Sequence, residues 1–234
     1  MKRYTNKDIF IFASVMVIIV AAILSVVAMV LQPLQKKNIE INKKQNILLS
    51  LNIEVEKDNA LEKYNQYITN TYVVNHEGER QEDKDAFSID LKKELDKPLG
   101  KRNLPVFVGS LSKDTIFIVP VRGKGLWGPV WGYVALEDDF NTVYGTNFSH
   151  KSETPGLGAE IATREFQKQF IGKEIFNDSG EFVSVRVKKA GKADGGPHEV
   201  DGISGGTITS KGVDKMLEEI LESYLDYFKK QKNN

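Results

Sequence analysis

The longest pattern in the chain is an apolar one: Ile9 to Leu31 holds no charged residue. At about 1.5 Å of rise per residue, such a helix extends about 34 Å, enough to cross roughly 30 Å of hydrocarbon. Lys2, Arg3 and Lys7 precede it, as they would in a cleaved leader. A leader's apolar core, however, runs to only about 7–15 residues and ends at a small-x-small site. Val30-Leu31-Gln32-Pro33 offers no such site, so the run is expected to be a retained transmembrane helix, 9–31, behind a short tail, 1–8. From 32 to 100 the chain is polar, with apolar residues at helical intervals: Ile47, Leu48 and Leu51, then Leu61, Tyr64 and Ile68. That spacing predicts a juxtamembrane helix and a second short one. The charges from Gly78 to Asp85, with breakers at Pro98, Gly100 and Pro105, predict irregular chain.

Beyond 101 the period changes. Thr115–Val121, Val130–Leu136, Thr142–Phe148 and Phe182–Val187 are β-branched and aromatic runs separated by Gly, Asp or Asn, and they predict strands of an antiparallel sheet. Ile161, Phe166 and Phe170 predict a helix over 160–170 packed on that sheet. Met216, Leu217, Ile220, Leu221, Tyr224, Leu225 and Phe228 recur at three and four, the buried face of a C-terminal helix. The expectation is α+β: one domain over 101–230 with an antiparallel sheet and packed helices, behind a membrane anchor.

Composition narrows the chemistry. Lys+Arg and Asp+Glu balance at 32 each, so no basic field draws the chain to nucleic acid. Zero cysteines exclude disulfides, thiol nucleophiles and cysteine-ligated clusters. His76, His150 and His198 are far apart and lack metal-ligand spacing. Group-transfer or redox chemistry is left to hydroxyls, carboxylates or a bound organic cofactor.

Two letter patterns fail on context. Gly123-Lys124-Gly125-Leu126-Trp127-Gly128 fits G-x-G-x-x-G, but a strand follows where a dinucleotide site needs a helix. Gly202-Ile203-Ser204-Gly205-Gly206 fits G-x-S-x-G, but no histidine lies beyond His198 to complete the usual triad order. The stretch DGISGGTIT, Asp201 to Thr209, remains. Its glycines permit close backbone approach, and the helix after it points its positive dipole end back at the loop, where phosphate oxygens are well held. The alternative is an ordinary turn capping a helix. GKGLWGPVWGYVAL sets Leu126 and Trp127 in a glycine-flanked turn, either a floor for a wide apolar ring or, as expected for Trp131, simply the core of a hairpin. HKSETPGLGAE sets Glu153 and Thr154 before Pro155-Gly156-Leu157-Gly158, whose backbone groups can reach a polar ring edge with Leu157 against the plane; the alternative is a plain strand-to-helix loop with Glu153 solvated.

Asp201, two residues, then Ser204-Gly205-Gly206-Thr207 resembles the flavinylation motif D-x-x-S/T-G-A-T. The family is that of the C subunit of the sodium-translocating NADH:quinone oxidoreductase, related to the G subunit of the Rnf complex; it carries closely similar G-L-W and E-T-P-G-L-G stretches. Glycine at 206 stands where alanine is usual. The resemblance runs from Ile9 to the C-terminal helix and is weakest from Pro33 to about Arg102. It implies an FMN-binding domain in which Thr207 carries FMN through a phosphoester, placed there by a separate flavin transferase drawing on FAD. Ser204, Gly205, Gly206 and Thr209 would then hold phosphate oxygens, Lys211 would add a charged contact, and Asp201 would be read by the transferase or brace the loop. Leu126, Trp127, Glu153, Thr154, Leu157 and Gly158 would surround the ring. The resemblance further implies a bacterial inner-membrane, single-pass protein with its domain on the periplasmic side and its tail in the cytoplasm. Its partners would be membrane lipid and the other subunits of a respiratory complex that carries electrons from NADH to ubiquinone and pumps sodium; nothing in this chain binds NADH, quinone or sodium by itself. An Rnf-type subunit, a free-standing flavin carrier, and a cofactor-free tethered binding domain are the alternatives.

Overall fold

The computed structural model describes residues 5–111 and 114–232, so Lys2 and Arg3 of the basic leader lie outside the described residues. The chain divides into two compact units, Met1–Lys43 and Lys44–Asn234.

The first unit is helical. Helix α1 runs over Asn6–Ser50, with Pro33 inside it. Proline has no N–H to give the preceding turn, yet the helix continues beyond it as one element. Apolar side chains all round the span are exposed, among them Phe10, Val17, Met29 and Val30. A helix apolar on every side finds its favourable surroundings in lipid. Among the described residues this is the one helix long and apolar enough to cross a membrane.

The second unit starts at Lys44, so much of the stretch 32–100 belongs to the sheet-bearing body. After α1 come α2 (Ala60–Tyr67), β1 (Ile68–Val74), β2 (Arg80–Gln81), α3 (Leu91–Leu95), β3 (Leu104–Leu111), β4 (Asp114–Lys124), β5 (Pro129–Leu136) and β6 (Val143–His150). These strands form one antiparallel sheet in the order β2-β1-β3-β4-β5-β6. Then follow α4 (Arg164–Lys168), β7 (Arg186–Lys188), β8 (Glu199–Asp201), α5 (Thr207–Ser223) and α6 (Leu225–Lys232).

Both faces of the sheet are covered, and successive residues explain how. In β5, Val134 and Leu136 enter one core while Tyr133 and Ala135 enter the other. In β3, Val106 and Val108 face one way and Phe107 the other. A strand buried on both faces reads as a continuous apolar run, because side chains alternate sides. Ile47 and Leu48 at the end of α1, and Leu51 just beyond it, pack with Tyr64 of α2 on one face. Val213, Met216, Leu217, Ile220 and Leu221 of α5, with Tyr227 and Phe228 of α6, pack on the other.

Two expectations are corrected. Phe182–Val187 is not a strand of the antiparallel sheet. Val183 and Ser184 both donate to the Ile175 carbonyl, Ser184 has φ of 60°, Phe182 makes an isolated antiparallel bridge to Phe176, and the strand itself is confined to Arg186–Lys188. That short strand pairs in parallel with β8, Val187 opposite Val200. The helix expected over 160–170 is two pieces, a 3-10 turn at Gly158–Ala162 and then α4, with Thr163 extended between them. Ile161, Phe166 and Phe170 are buried all the same.

Candidate functional site

Three segments converge on one cleft of about 420 Å³, within the range of small-molecule sites. It is lined by Leu126 and Trp127; by Glu153, Thr154, Leu157 and Gly158; and by the run Gly205 to Thr209.

The first wall is the β4–β5 hairpin. Lys124 pairs with Pro129, and Gly125 donates to the Gly128 carbonyl at 2.8 Å, leaving Leu126 and Trp127 at the tip. They are 45% and 66% exposed, far more than apolar residues of a core would be. The second wall is the loop after β6. Leu157 and Ala159 both donate to the Thr154 carbonyl at 3.1 Å, curling 154–159 so that Leu157 stands 42% exposed.

The third wall is DGISGGTIT. Gly206 donates to the Ile203 carbonyl at 3.0 Å, closing a turn in which Gly205 takes φ of 73°. Glycine accepts that conformation without steric cost. A Cβ there would also sit 2.6 Å from Leu157 Cδ2, so the turn and the second wall touch. Helix α5 begins at Thr207, earlier than the sequence suggests, with Gly206 as its N-cap and no side chain capping it. The amides of Thr207, Ile208 and Thr209 therefore lack intrahelical partners and sit at the positive end of a helix of 17 residues. Thr207 is exposed.

Glu153 joins the walls. Its Oε1 accepts from the Trp127 amide at 2.8 Å and its Oε2 from the Thr209 hydroxyl at 2.5 Å, while the side chain is 4% exposed. Burial opposes its ionisation, but the Thr209 hydroxyl and the amides of Trp127, Leu126 and Gly128 outweigh that and hold the carboxyl below the usual glutamate range. Gly158 packs so closely that a Cβ there would strike Thr209 Oγ1 and lie 2.6 Å from Glu153 Oε2.

Every lining residue except Ile208 is singled out by the sequence. Ile208, 57% exposed, lies on the polar side of an amphipathic helix, and that misplacement is the signal that could have found it. Asp201, Ser204 and Lys211 are outside the lining. Ser204 is exposed in the turn beside it. Asp201 braces a neighbouring loop: its Oδ1 accepts from the Ala193 amide at 3.0 Å and the Lys192 amide at 2.9 Å, bonds that lower its carboxyl's pKa. Gln169 brackets its backbone, accepting from Asp201 N and donating to Asp201 O. Lys211 lines a separate groove with Phe182, Asp214 and Glu218. Thr209 donates its hydroxyl proton to Glu153.

An FMN-binding domain model matches residues 125–222, which takes in all three walls. The C subunit of the Na(+)-translocating NADH-quinone reductase from Haemophilus ducreyi is 35% identical over 91% of this chain and 90% of its own length. The chain belongs to that family, the C subunits of the Na(+)-translocating NADH-quinone reductase. The Vibrio vulnificus C subunit is 34% identical over 84% of this chain and 83% of its own. The crystal structure of the C subunit from Parabacteroides distasonis superposes with a TM-score of 0.79 at 47% identity, covering 85% of this chain and 96% of that one. NqrC from Shewanella oneidensis gives 0.71 at 26% identity, over 83% of this chain and 99% of that one. The similarity to C subunits over 91% of the chain, together with the one helix among the described residues long and apolar enough to cross a membrane, makes the chain a single-pass, membrane-anchored member.

Proposed function

We propose that this chain carries FMN in the cleft, joined by a phosphoester to Thr207 Oγ1, and relays electrons from NADH towards quinone within a sodium-translocating complex. The observation that carries the reading is the position of Thr207: an exposed hydroxyl on the first residue of an uncapped helix, at the rim of a cleft with apolar walls. The residues fit the group. Amides of Thr207, Ile208 and Thr209, with the Ser204 hydroxyl, would hold phosphate oxygens. Leu126, Trp127, Leu157 and Ile208 would flank the ring, and backbone groups at Thr154 and Gly158 would meet its polar edge. Lys211 lines another groove and is not carried forward as a phosphate contact, and Asp201 acts as a brace.

Bound FMN would supply a carrier able to exchange one or two electrons. The chain's own part is to position it and to limit water at its face. A threonine hydroxyl is too weak a nucleophile to react unaided, so a flavin transferase would catalyse attachment from FAD. There the Oγ1–P bond forms as the pyrophosphate P–O bond breaks, AMP leaves, and the hydroxyl proton passes to a base on the transferase. NADH and quinone sites would lie on other subunits. With the domain placed outside the inner membrane, the anchor would leave only the tail in the cytoplasm.

Intact-mass measurement of the protein co-expressed with the transferase tests the chemistry. The expected result is an FMN phosphoester on the wild type and none on Thr207→Val, with flavin fluorescence on a denaturing gel tracking it. Unmodified wild type, or fluorescence persisting in Thr207→Val, would sink the reading. Because the chain has no cysteine, Ser179→Cys labelled with an impermeant maleimide reports the side: labelling in intact spheroplasts supports the outer face, and labelling only after lysis refutes it.

A further inference from the structure

Glu153 is chemically over-specified for a strut. Its hydrogen-bond donors are the Trp127 amide and the Thr209 hydroxyl, both neutral, and the neighbouring amides of Leu126 and Gly128 also favour its charge. Among the described residues no ion pair reaches it. Two glycines make room for it: a Cβ on Gly125 would lie 2.6 Å from Oε1, and one on Gly158 equally close to Oε2. The mechanical task needs no charge. A glutamine of the same shape would accept from the Trp127 amide and donate to Thr209 Oγ1, with the hydroxyl turned round. A buried carboxylate has a desolvation cost that an amide avoids, and here its donors outweigh that cost and keep the charge in place. Neutral donors hold a charge without cancelling it, and its field reaches further in a partly dry cleft than in water.

We propose that Glu153 is a positioning residue that keeps a fixed negative charge in the wall of the cleft and thereby lowers the reduction potential of a flavin held there. This rests on the reading that the cleft holds FMN. Reduction adds negative charge to the ring, so an unneutralised carboxylate beside it favours the oxidised form. The bonds from Thr209 and the Leu126–Gly128 turn keep the group ionised and aimed.

The test is an equilibrium titration of the full-length, flavinylated protein in detergent, with dithionite as electron donor and a reference dye reporting the ambient potential. Each flavin takes two electrons from dithionite and its protons from the buffer. Glu153→Gln is expected to raise the reduced-to-oxidised ratio at a given potential about tenfold, about 30 mV for a two-electron couple. Thr209→Val, which breaks the strut but keeps the charge, is expected to move the ratio less than about threefold. Glu153→Gln with wild-type flavin content and wild-type potential overturns the charge proposal and leaves the function standing. Equal shifts in the two variants also overturn it, because geometry would then be the cause. A wild type that never acquires flavin removes both. If Glu153→Gln does not fold, Glu153→Asp decides: the charge is retained, so a potential near that of the wild type supports the proposal and a tenfold rise defeats it.

Discussion

Thr209 Oγ1 and Glu153 Oε2 lie 2.5 Å apart across 56 residues of sequence, and this bond fastens the first turn of α5 to the loop after β6. Through the other carboxylate oxygen it fastens both to Trp127. The cleft owes its shape to a carboxylate that reaches three chain segments at once.

Removing the hydroxyl should therefore loosen the site as well as the fold. Thr209→Val leaves a buried carboxylate oxygen short of a donor, which costs about 1–3 kcal/mol. We expect a lower thermal midpoint together with slower flavin attachment. Unchanged values of both would show that the bond carries no weight.

The same carboxylate sets an acid limit. Its pKa is held down in the folded protein, so its contribution to stability is fully present above the unfolded value, about 4.3. It is lost as pH falls through the folded value. Glu94 is also lowered: burial opposes this, and bonds from Lys97 and Asn103 prevail, so it adds to the fall. Thermal midpoints of wild type and Glu153→Gln measured from pH 7 down to 3 should differ most at neutral pH and converge below about 4.3. A gap that widens on acidification would contradict the assignment.

Gly205 tests the backbone. Alanine there meets both a left-handed φ of 73° and the Leu157 side chain at 2.6 Å. Gly205→Ala should lose about 1–2 kcal/mol and, on the proposed function, most of the flavin joined at Thr207. Position 206 differs: its φ of −101° suits any residue, and a Cβ would lie 3.0 Å from that of Ile203. The same Cβ would lie 3.2 Å from the Gly158 amide nitrogen, so alanine at 206 needs the Ile203 and Gly158 segments to give by a few tenths of an ångström.

Trp127 separates site from scaffold. Being 66% exposed, it contributes little packing, and Trp127→Ala should change stability by less than about 0.5 kcal/mol. The flavin's visible absorbance and fluorescence should nevertheless change, because a wall of its cleft has gone. A spectrum identical to the wild type would remove Trp127 from the site.

Much of this was legible in one dimension. The span from Ile9, the strands from Thr115, Val130 and Thr142, and the buried face of α5 follow from periodicities that depend only on local geometry. The cleft's walls were legible too, since glycines beside exposed aromatic or hydroxyl residues mark turns. Strand β1 was not. Its run Ile-Thr-Asn-Thr-Tyr-Val-Val mixes polar residues into an edge-side strand, and a register shift between Ile68 and Asn70 breaks the alternation. Phe182–Val187 misled in the opposite sense, because β-branched residues fill a segment that the Ile175 carbonyl and the φ at Ser184 bend out of strand geometry.

The sequence by itself determined the anchor, the α+β class and which residues stand in the glycine-rich turns that line the cleft, because residue type and spacing are local properties. Only the tertiary structure decided their parts. It spent the Thr209 hydroxyl on Glu153, moved Lys211 to another groove, made Asp201 a brace and brought Ile208 to the rim. Those outcomes depend on which distant segments meet, and burial and hydrogen-bond satisfaction are settled only when they do.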